Sequence, residues 1–414
     1  MEEKKQRAVL VGIDLGEYDM DDSLDELEEL AKTAGAEVVG RMVQKREDMD
    51  KATAIGEGKI AELKEFAEKN DVELLIFDCE LTPSQLKNIE DATDCEAVDR
   101  TMLILDIFAA RALTAEGKLQ VELAQQQYTL PRLMGLGKSL SRLGGGIGTR
   151  GPGESKLETD RRHVRRRIEK LKEDLADLEK RRDFLRSRRK KDDVLTVAII
   201  GYTNVGKSTL LNTLTGAGVL SENKLFATLD LTSRGLTLPD GRTAVFIDTV
   251  GLIRRLPHHL VEAFKSTLEE AANADLILNV CDASRGEAKM QCEVTQKLLE
   301  ELHASQVPMI TVLNKSDLGV DHGFVVDNRT TVAISAKTGE GIDRLLRAVA
   351  DGLRPTHTKC TLLIPYDRGA LLGEIRESGT VMSEEYTENG MLVTASVDNR
   401  MLYKTEPYLQ SDHE

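Results

Sequence analysis

The chain is poor in aromatic residues, in cysteine pairs and in long apolar stretches. Aromatic residues make up 4% of the 414 residues, and tryptophan is absent. No apolar run approaches the length of a membrane-spanning helix, and the start, MEEKKQRAVL, lacks the apolar core of a signal peptide. The five cysteines are an odd number without a C-x-x-C pair. We therefore expect a cytoplasmic protein with isolated, reduced thiols, no transmembrane segment and no zinc site.

An overall positive charge is also missing, with one local exception. The formal charge is −15, from 56 basic and 71 acidic residues, which argues against a generally basic polyanion-binding protein. Residues 132–191 differ, because 20 Lys and Arg stand there against 9 Asp and Glu, a local charge of +11. Hydrophobic residues at 40% and charged residues at 31% are typical of a globular chain, which at this length is expected to form two or three domains.

Four regions follow from the changing pattern along the chain. Residues 1–103 alternate apolar strands with helices, two of them predicted to open at capping boxes, Ser23–Glu26 and Thr82–Gln85; this predicts an α/β subdomain. Residues 104–192 are predicted to form a long antiparallel helical hairpin with a glycine-rich tip loop, residues 144–153. Residues 193–354 alternate strands and helices again, and residues 355–414 predict a small α+β module.

The helical hairpin is predicted from an apolar seam at heptad spacing. Its members are Val164, Ile168, Leu171, Leu175, Leu178 and Leu185, with Arg182 in the skipped position. Such a seam indicates a long helix packed on a partner, and the nearest partner is the helix before the glycine-rich loop.

The strongest motif is a phosphate-binding loop between a predicted strand and a predicted helix. It consists of Gly201, Tyr202, Thr203, Asn204, Val205, Gly206, Lys207 and Ser208. The glycines let backbone N–H groups surround phosphates, Lys207 faces the β- and γ-phosphates, and the Ser208 hydroxyl is a Mg²⁺ ligand. This motif predicts a nucleoside triphosphate without selecting the base.

Three downstream motifs, each after an apolar strand, select guanine and complete the site. They are Asp248, Thr249, Val250 and Gly251; Asn314, Lys315, Ser316 and Asp317; and Ser335, Ala336 and Lys337. The Asp317 carboxylate can accept two hydrogen bonds from guanine, whereas adenine has neither donor. Asp248 can reach Mg²⁺ through water, the Gly251 N–H can bond the γ-phosphate, and the loop at residues 335–337 can meet the guanine O6.

The order and spacing of these motifs resemble the GTPase superfamily. The resemblance implies a P-loop GTPase fold, in which the switch I segment is Phe226, Ala227, Thr228, Leu229 and Asp230. By this resemblance Thr228 closes on Mg²⁺ and the γ-phosphate, and Lys207, Thr228, Asp248 and Gly251 form the catalytic set. Leu252 stands where Ras-like GTPases carry a water-orienting glutamine, so we expect slow hydrolysis without a partner.

Asn204 has two alternative interpretations. It resembles the asparagine with which some GTPases hold a potassium ion near the phosphates. It can equally be a loop asparagine that bonds its own backbone.

The basic hairpin is a candidate RNA-binding element. The residues predicted to contact RNA are Gly144, Gly145, Gly146, Arg150, Arg161, Arg162, Arg165 and Arg166. Local positive charge suits RNA phosphates, and the shortage of aromatic residues favours recognition of RNA shape rather than sequence. The alternative is that this charge run is only a solvated helix face.

Further motifs resemble the HflX family of ribosome-associated GTPases over the first 350 residues. They are DIFAARA at 106–112, EGKLQVELA at 116–124, PRL at 131–133 and RGPGE at 150–154, followed by Leu157-Glu158 and Asp160-Arg-Arg162. The residue after Asp230 is Leu231, where this family usually has proline. The resemblance implies binding to the large ribosomal subunit and its rRNA, GTP hydrolysis to GDP, and splitting of stalled ribosomes under heat stress. It also implies ATP binding by the N-terminal domain, where Ile55-Gly-Glu-Gly-Lys59 is a weak phosphate-loop pattern.

Together these observations predict a Mg²⁺-dependent, ribosome-stimulated GTPase that acts as a monomer. Two other function classes remain open from the sequence. One is an RNA-binding factor with an inactive GTPase domain, which Leu252 would explain. The other is an ATP-driven RNA-remodelling enzyme that works through the N-terminal domain.

Overall fold

The described part of the chain contains three β-sheets, the helices that pack on them, and a pair of long helices. The computed structural model describes residues 5–141, 152–191, 194–216, 226, 232–255, 269–284, 288–302, 304, 306–319, 330–355 and 357–410. No helix in these ranges is long and apolar enough to cross a membrane, and no group of three or more His, Cys, Asp or Glu within them could hold a metal ion.

The first sheet is parallel, with strand order β2-β1-β3-β4. Its strands are β1 (Arg7–Asp14), β2 (Glu37–Lys45), β3 (Leu74–Phe77) and β4 (Glu96–Asp99), connected by helices α1 (Met20–Thr33), α2 (Glu57–Lys69) and α3 (Pro83–Thr93). β3 is buried along its whole length, as expected for a strand covered by helices on both faces.

The two predicted capping boxes of this region have different outcomes. Thr82 and Gln85 cap α3 reciprocally, with Pro83 in the first turn, so that prediction is confirmed. The prediction at Ser23–Glu26 is wrong, because α1 begins at Met20 and is capped by the Asp19 side chain, which accepts from the N–H groups of residues 21 and 22. Ser23 therefore lies inside α1, where its side chain is buried.

The predicted antiparallel helical hairpin is confirmed. After α4 (Arg100–Arg111), α5 (Ala115–Ser141) and α6 (Pro152–Lys191) pair, and α6 extends roughly 60 Å at 1.5 Å per residue. The two helices are antiparallel, because residues further along α6 contact residues further back along α5. The contacts that show this are Arg161 with the Leu133 carbonyl, Arg167 with Glu122, and Arg182 with Glu116. The seam positions from residue 164 to residue 178 are less exposed than most of their neighbours, and Leu171 is fully buried.

The largest sheet has six strands in the order β10-β9-β8-β5-β7-β6, and only β6 is antiparallel to its neighbour. The strands are β5 (Leu195–Gly201), β6 (Thr232–Thr237), β7 (Thr243–Asp248), β8 (Leu276–Asp282), β9 (Met309–Asn314) and β10 (Thr331–Ala333). The helices are α7 (Lys207–Thr215), α8 (Ala288–Glu301) and α9 (Ile342–Gly352). Central strands β5 and β8 are buried throughout. Because five strands are parallel, their carboxyl ends lie at one edge of the sheet.

The C-terminal module is a three-stranded antiparallel sheet covered by a helix, which confirms the predicted α+β class. Its elements are β11 (His357–Ile364), α10 (Gly369–Ser378), β12 (Thr380–Thr387), β13 (Gly390–Asp398) and the short α11 (Leu402–Thr405), with strand order β11-β13-β12. Leu372 and Ile375 of α10 pack on the buried face of β11 and β13.

Candidate nucleotide site

The phosphate-binding loop lies between β5 and α7, and two glycines make its path possible. Gly201 has φ 146°, and a side chain there would place Cβ 2.2 Å from the carbonyl oxygen of Val280. Gly206 has φ 94°, and its Cβ would lie 2.4 Å from Nδ2 of Asn314. Backbone conformation and close neighbours therefore both require glycine at these positions.

Lys207 lies beneath this loop rather than in solvent. Its ammonium group donates to the carbonyl oxygens of Gly201 at 3.1 Å and Tyr202 at 2.7 Å. Burial lowers the pKa of Lys207 to about 8, while the nearby Asp248 carboxylate opposes the shift. The loop thus holds a buried cation where phosphate oxygens would replace the carbonyl partners.

Ser208 and Asp248 form the pair that could hold Mg²⁺. The Ser208 hydroxyl donates to Oδ2 of Asp248 at 2.8 Å, and Asp248 is fully buried at the end of β7. A hydroxyl beside a carboxylate is the oxygen donor set that Mg²⁺ prefers. Thr249 holds the segment in place, because its hydroxyl donates to the Ile199 carbonyl at 2.8 Å. The third predicted member, Thr228, lies outside the described residues.

The segment after Asp248 passes directly over the phosphate-binding loop. A Cβ on Gly251 would lie 2.7 Å from Thr203 Cγ2 and 3.1 Å from Lys207 Nζ, so only glycine fits there. The Thr203 N–H donates to the Leu252 carbonyl at 2.7 Å, and the Leu252 N–H donates to the Gly201 carbonyl at 3.1 Å. The Leu252 side chain is 5% exposed and belongs to the hydrophobic core. It therefore offers no group that could orient water.

The predicted base-binding motifs meet through Asn314. Its Nδ2 donates to the Val205 carbonyl at 2.7 Å, and its Oδ1 accepts from the Ala336 N–H at 2.9 Å. One side chain thus joins the phosphate loop to the loop at residues 335–337. Lys315, in a left-handed conformation, is held by an ion pair with Asp282 at 2.7 Å.

The remaining residues of these motifs differ in exposure. Ser335 is fully buried, and its hydroxyl accepts from the Thr338 N–H at 3.2 Å. Ser316 is half-buried and starts a short 3₁₀ turn, whereas Asp317 in that turn and Lys337 are exposed. Asp317 is therefore accessible to an incoming base.

Of the predicted switch I segment, the structure describes only Phe226; residues 227–230 lie outside the described residues. Phe226 is buried, and its ring packs edge-on against Phe108 of α4 with centroids 4.5 Å apart. The Phe226 side chain therefore packs on the preceding helical region.

Asn204 has φ 59°, a left-handed conformation that asparagine tolerates better than most residues. Asn204 and its neighbours Thr203 and Val205 line a cavity of about 300 Å³ against the acidic helix α1. The conformation fits the backbone interpretation of Asn204. The carboxylates of α1 that line this cavity are already paired with basic side chains.

A buried charge cluster under the phosphate-binding loop was not expected from the sequence. The Tyr202 hydroxyl donates to Glu26 of α1 and accepts from the Arg254 N–H at 2.6 Å. Glu26 also pairs with Arg100, which is 4% exposed and bonds Asp78 at 2.9 Å. A variable loop position of the phosphate motif thus contacts the N-terminal region.

Two consecutive arginines, Arg254 and Arg255, complete this charge cluster, which forms the interface between the phosphate-binding loop and the N-terminal region. Arg254 pairs with Asp22 at 3.2 Å, and Arg255 pairs with Asp78 at 2.7 Å while its guanidinium stacks over the Tyr18 ring at 3.9 Å. Arg254 and Arg255 have no carboxylate beside them in the sequence. This is the one sequence feature that could have indicated that their ion-pair partners lie far away in the chain.

The predicted RNA-binding arginines separate into two groups. Arg161 is half-buried, where it pairs with Glu158 and donates to the Leu133 carbonyl at 3.3 Å. Arg162, Arg165 and Arg166 are exposed and form no ion pair with other described residues. The predicted tip residues Gly144, Gly145, Gly146 and Arg150 lie outside the described part of the chain.

The weak phosphate-loop pattern near the N-terminus already has internal partners. The Gly56 N–H donates to the Gln44 side chain at 2.8 Å, and Lys59 pairs with Glu62 at 2.9 Å. A phosphate at this loop would have to displace both contacts.

Comparison with known families gives matches along most of the chain. Residues 21–109 and 111–189 match models described as GTP-binding GTPase N-terminal and GTP-binding GTPase middle region. Residues 196–315 match a 50S ribosome-binding GTPase model, and residues 325–404 match an HflX C-terminal domain.

Whole proteins show the same relationship. The chain is 52% identical to GTPase HflX of Caldanaerobacter subterraneus subsp. tengcongensis, with 95% of this chain and 91% of that protein covered. It is 50% identical to GTPase HflX of Lacrimispora saccharolytica over 97% of this chain and 96% of the relative. It is 41% identical to GTPase HflX of Escherichia coli K12 over 98% and 97%. These likenesses span nearly the full length of each partner, so the chain belongs to the HflX family of GTPases and is a GTP hydrolase.

Proposed function

We propose that this GTPase binds the large ribosomal subunit through its helical hairpin and, with GTP and Mg²⁺, separates stalled ribosomes under stress. The observation that carries the proposal is the exposed set Arg162, Arg165 and Arg166. Their spacing places them on one side of α6, while Arg167 and Arg182 are paired with carboxylates of α5. The hairpin thus uses some arginines to hold its helices together and leaves others available for RNA phosphates.

The tip loop is the second part of the proposal. We infer that Gly144, Gly145, Gly146 and Arg150 enter the ribosomal site once the exposed arginines have docked the hairpin. Glycine lets the backbone approach nucleotides closely. The family model described as a 50S ribosome-binding GTPase supports the large subunit as the partner.

We propose that hydrolysis is slow in the free protein and faster on the ribosome. The buried Leu252 provides no water-orienting group, so docking must supply or order one. A tenfold acceleration corresponds to only about 1.4 kcal/mol of barrier. Single-turnover hydrolysis with and without large subunits measures this; equal rates in both would contradict it.

Cations complete the proposed site. Mg²⁺, held by Ser208 and Thr228 with Asp248 behind it, would neutralise charge on the phosphates when bound. We also propose a potassium ion at Asn204. Turnover in potassium should then exceed turnover in sodium at equal ionic strength, and an Asn204→Ala variant should lose that difference while retaining Mg²⁺ dependence.

The ribosome proposal is tested by cosedimentation with large subunits across a salt titration, in GTP, GDP and a non-hydrolysable analogue. Replacing Arg162, Arg165 and Arg166 by alanine should weaken binding and reduce the slope of log K against log salt by about 3, one per phosphate contact. GTP affinity should stay unchanged, since these residues lie on α6, remote in sequence from the nucleotide motifs.

A matched control removes the same charge elsewhere, at the exposed Lys51, Lys64 and Lys87 of the N-terminal region. This control should sediment like the wild type. If both triple variants lose binding equally, overall charge is responsible and the hairpin assignment is wrong. If neither loses binding, the exposed arginines are only a solvated face.

A further inference from the structure

Two of the five cysteines are in direct contact, which contradicts the expectation of isolated thiols. Cys281 lies near the end of β8, and Cys292 faces it from the first half of α8. Their sulfur atoms are 2.6 Å apart. This distance is longer than the roughly 2.05 Å of a disulfide bond and shorter than the distance between two hydrogen-bonded thiols. Because eleven residues separate them, the chain alone does not impose this contact.

The two thiols differ from each other in reactivity. Cys281 is fully buried, and Cys292 is half-buried in the second turn of α8. The Cys281 thiol can donate a hydrogen bond to the Cys292 sulfur, which lowers the pKa of Cys292. A half-buried cysteine with a lowered pKa, in contact with a second thiol, is the arrangement typical of redox-sensitive cysteines.

The other three cysteines lack this arrangement. Burial raises the pKa of Cys79 to about 12 and also raises the pKa values of Cys95 and Cys360. Within the described ranges, none of the three has another cysteine in hydrogen-bond contact, and the Cys95 thiol donates to the Val72 carbonyl at 3.4 Å.

We propose that Cys281 and Cys292 form a redox-active pair that closes to an intramolecular disulfide on exposure to a peroxide. The Cys292 thiolate attacks one peroxide oxygen, the O–O bond breaks, and Cys292 becomes a sulfenic acid while the other oxygen leaves as water after protonation. Cys281 then attacks the Cys292 sulfur, and the sulfenic oxygen leaves as a second water. In total, two thiols and one hydrogen peroxide give one disulfide and two waters.

The pair lies next to the guanine-binding part of the site. Asp282, directly after Cys281, pairs with Lys315 at 2.7 Å. The Asp282 N–H donates to the side chain of Gln291, directly before Cys292, at 3.1 Å. Both cysteines therefore belong to the segments that hold Lys315 in place.

A buried amide lies on the same face of β8 as Cys281. Asn279 precedes Cys281 by two residues, so alternation along β8 places both side chains on one face. Asn279 is fully buried, and neither polar atom of its side chain has a hydrogen-bond partner within the described structure. The face of β8 that carries Cys281 therefore also carries a polar side chain without a partner among the described residues.

We expect the disulfide to leave guanine-nucleotide binding intact. Oxidation that stops before the disulfide forms should instead damage that binding. Joining sulfurs that already touch moves β8 and α8 little, so Asp282 and Lys315 keep their pairing. Without Cys281, a sulfenic acid at Cys292 is free to oxidise further to a sulfinic acid, which is irreversible and adds two oxygens next to Gln291. We therefore infer that the pair protects guanine-nucleotide binding during oxidation.

The first experiment needs no variant. Wild-type protein is treated with hydrogen peroxide, alkylated, and digested with trypsin, which separates Cys281 (peptide 266–285) from Cys292 (peptide 290–297). We expect the two peptides to be joined, with the mass of two hydrogen atoms lost, and to separate after treatment with dithiothreitol. Unlinked peptides at peroxide levels that oxidise the other cysteines would overturn the proposal.

The second experiment measures GDP affinity before and after peroxide in three variants. The wild type and Cys292→Ala should keep their affinity, whereas Cys281→Ser, which keeps a donor for Cys292 but cannot form the disulfide, should lose about tenfold or more. Dithiothreitol should not restore that affinity. Cys360→Ala is the control and should behave like the wild type. If Cys281→Ser keeps its affinity with Cys292 fully oxidised to sulfinic acid, the protective role is wrong. If Cys281→Ser fails to fold, the wild-type peptide map still decides whether the pair forms.

Discussion

The nucleotide site and the interface beneath it share a loop but are built in different ways. The site is assembled from four short motifs, each at the end of a β-strand, and many of its described contacts run through backbone groups, as with Lys207 and Asn314. The interface is assembled from single charged side chains far apart in the sequence: Arg254 and Asp22 are 232 residues apart, and Tyr202 and Glu26 are 176 apart. Local sequence patterns therefore predict the nucleotide site but give almost no information about the interface.

The two regions also differ in the free-energy cost of burying their charged side chains. Lys207 is a buried cation whose cost is reduced by carbonyl oxygens and Asp248, and phosphates would improve its surroundings further. In the interface, each buried charge already has an opposite charge, as in Arg100 with Glu26 and Asp78. Removing one partner there leaves an uncompensated charge, which costs more than the pair contributes. The nucleotide site is thus arranged to bind a ligand, whereas the interface stabilises the fold and holds the phosphate-binding loop against the N-terminal region.

The largest effect should come from the base-binding motif. Asp317→Asn turns an acceptor into a donor that faces the donors of guanine, so GTP affinity should fall by ~10⁴-fold while xanthosine nucleotides gain. The exposed Asp367→Asn is the control and should bind GTP normally. Nucleotide titration calorimetry measures both; unchanged GTP affinity in Asp317→Asn would remove Asp317 from the site.

The next effect tests the interface without touching the nucleotide. Asp78→Ala leaves Arg100 and Arg255 without a shared carboxylate that is 1% exposed, so the free energy of unfolding should fall by about 3–5 kcal/mol. GTP affinity of the folded fraction should be unchanged. Asp25→Ala is the control on α1: its ion pair with Arg41 involves an aspartate whose side chain is 70% exposed, and its loss should cost under about 1 kcal/mol. Equal destabilisation in urea by both variants would contradict the distinction.

A pH titration distinguishes the regions through Lys207. Its pKa is about 8 in the nucleotide-free protein and 10.5 in an unfolded chain, so between these values the unfolded chain binds more protons. The stability of the free protein should therefore rise from pH 8 towards 10.5, while GDP affinity, which needs the charged ammonium, should fall about tenfold per pH unit above 8. Denaturation and GDP binding measured at pH 7 to 10 should show these opposite trends. A constant GDP affinity over that range would mean that Lys207 stays charged.

The smallest effect concerns the residue that belongs to both regions. Tyr202→Phe removes a hydroxyl that joins Glu26 to the Arg254 N–H, so unfolding should become easier by about 1 kcal/mol. GTP affinity should change less than about twofold, because the Tyr202 backbone still holds Lys207. Tyr386→Phe, at a position that is 74% exposed, is the control. A large loss of GTP affinity in Tyr202→Phe would show that the side chain supports the loop.

The sequence anticipated the elements whose cause is local. The glycines of the phosphate loop, the capping box at Thr82 and the apolar seam of α6 act within a few residues of their own position. The sequence misled at Ser23 and Glu26, where a pattern typical of a helix start lies inside α1 and instead contributes to the charge cluster. It also misled at Cys281 and Cys292, since nothing in an eleven-residue spacing states that β8 and α8 face each other there.

The sequence by itself determined the nucleotide, the fold class and the family, because the chemistry of phosphate and guanine recognition demands particular residues at short fixed spacings. Only the tertiary structure decided which charges meet. It buried Arg100, brought Arg254 and Arg255 onto α1, packed Phe226 on Phe108, and left three arginines of α6 exposed while pairing their neighbours. These outcomes depend on how separate elements pack, and a charged side chain has no sequence pattern that names a partner hundreds of residues away.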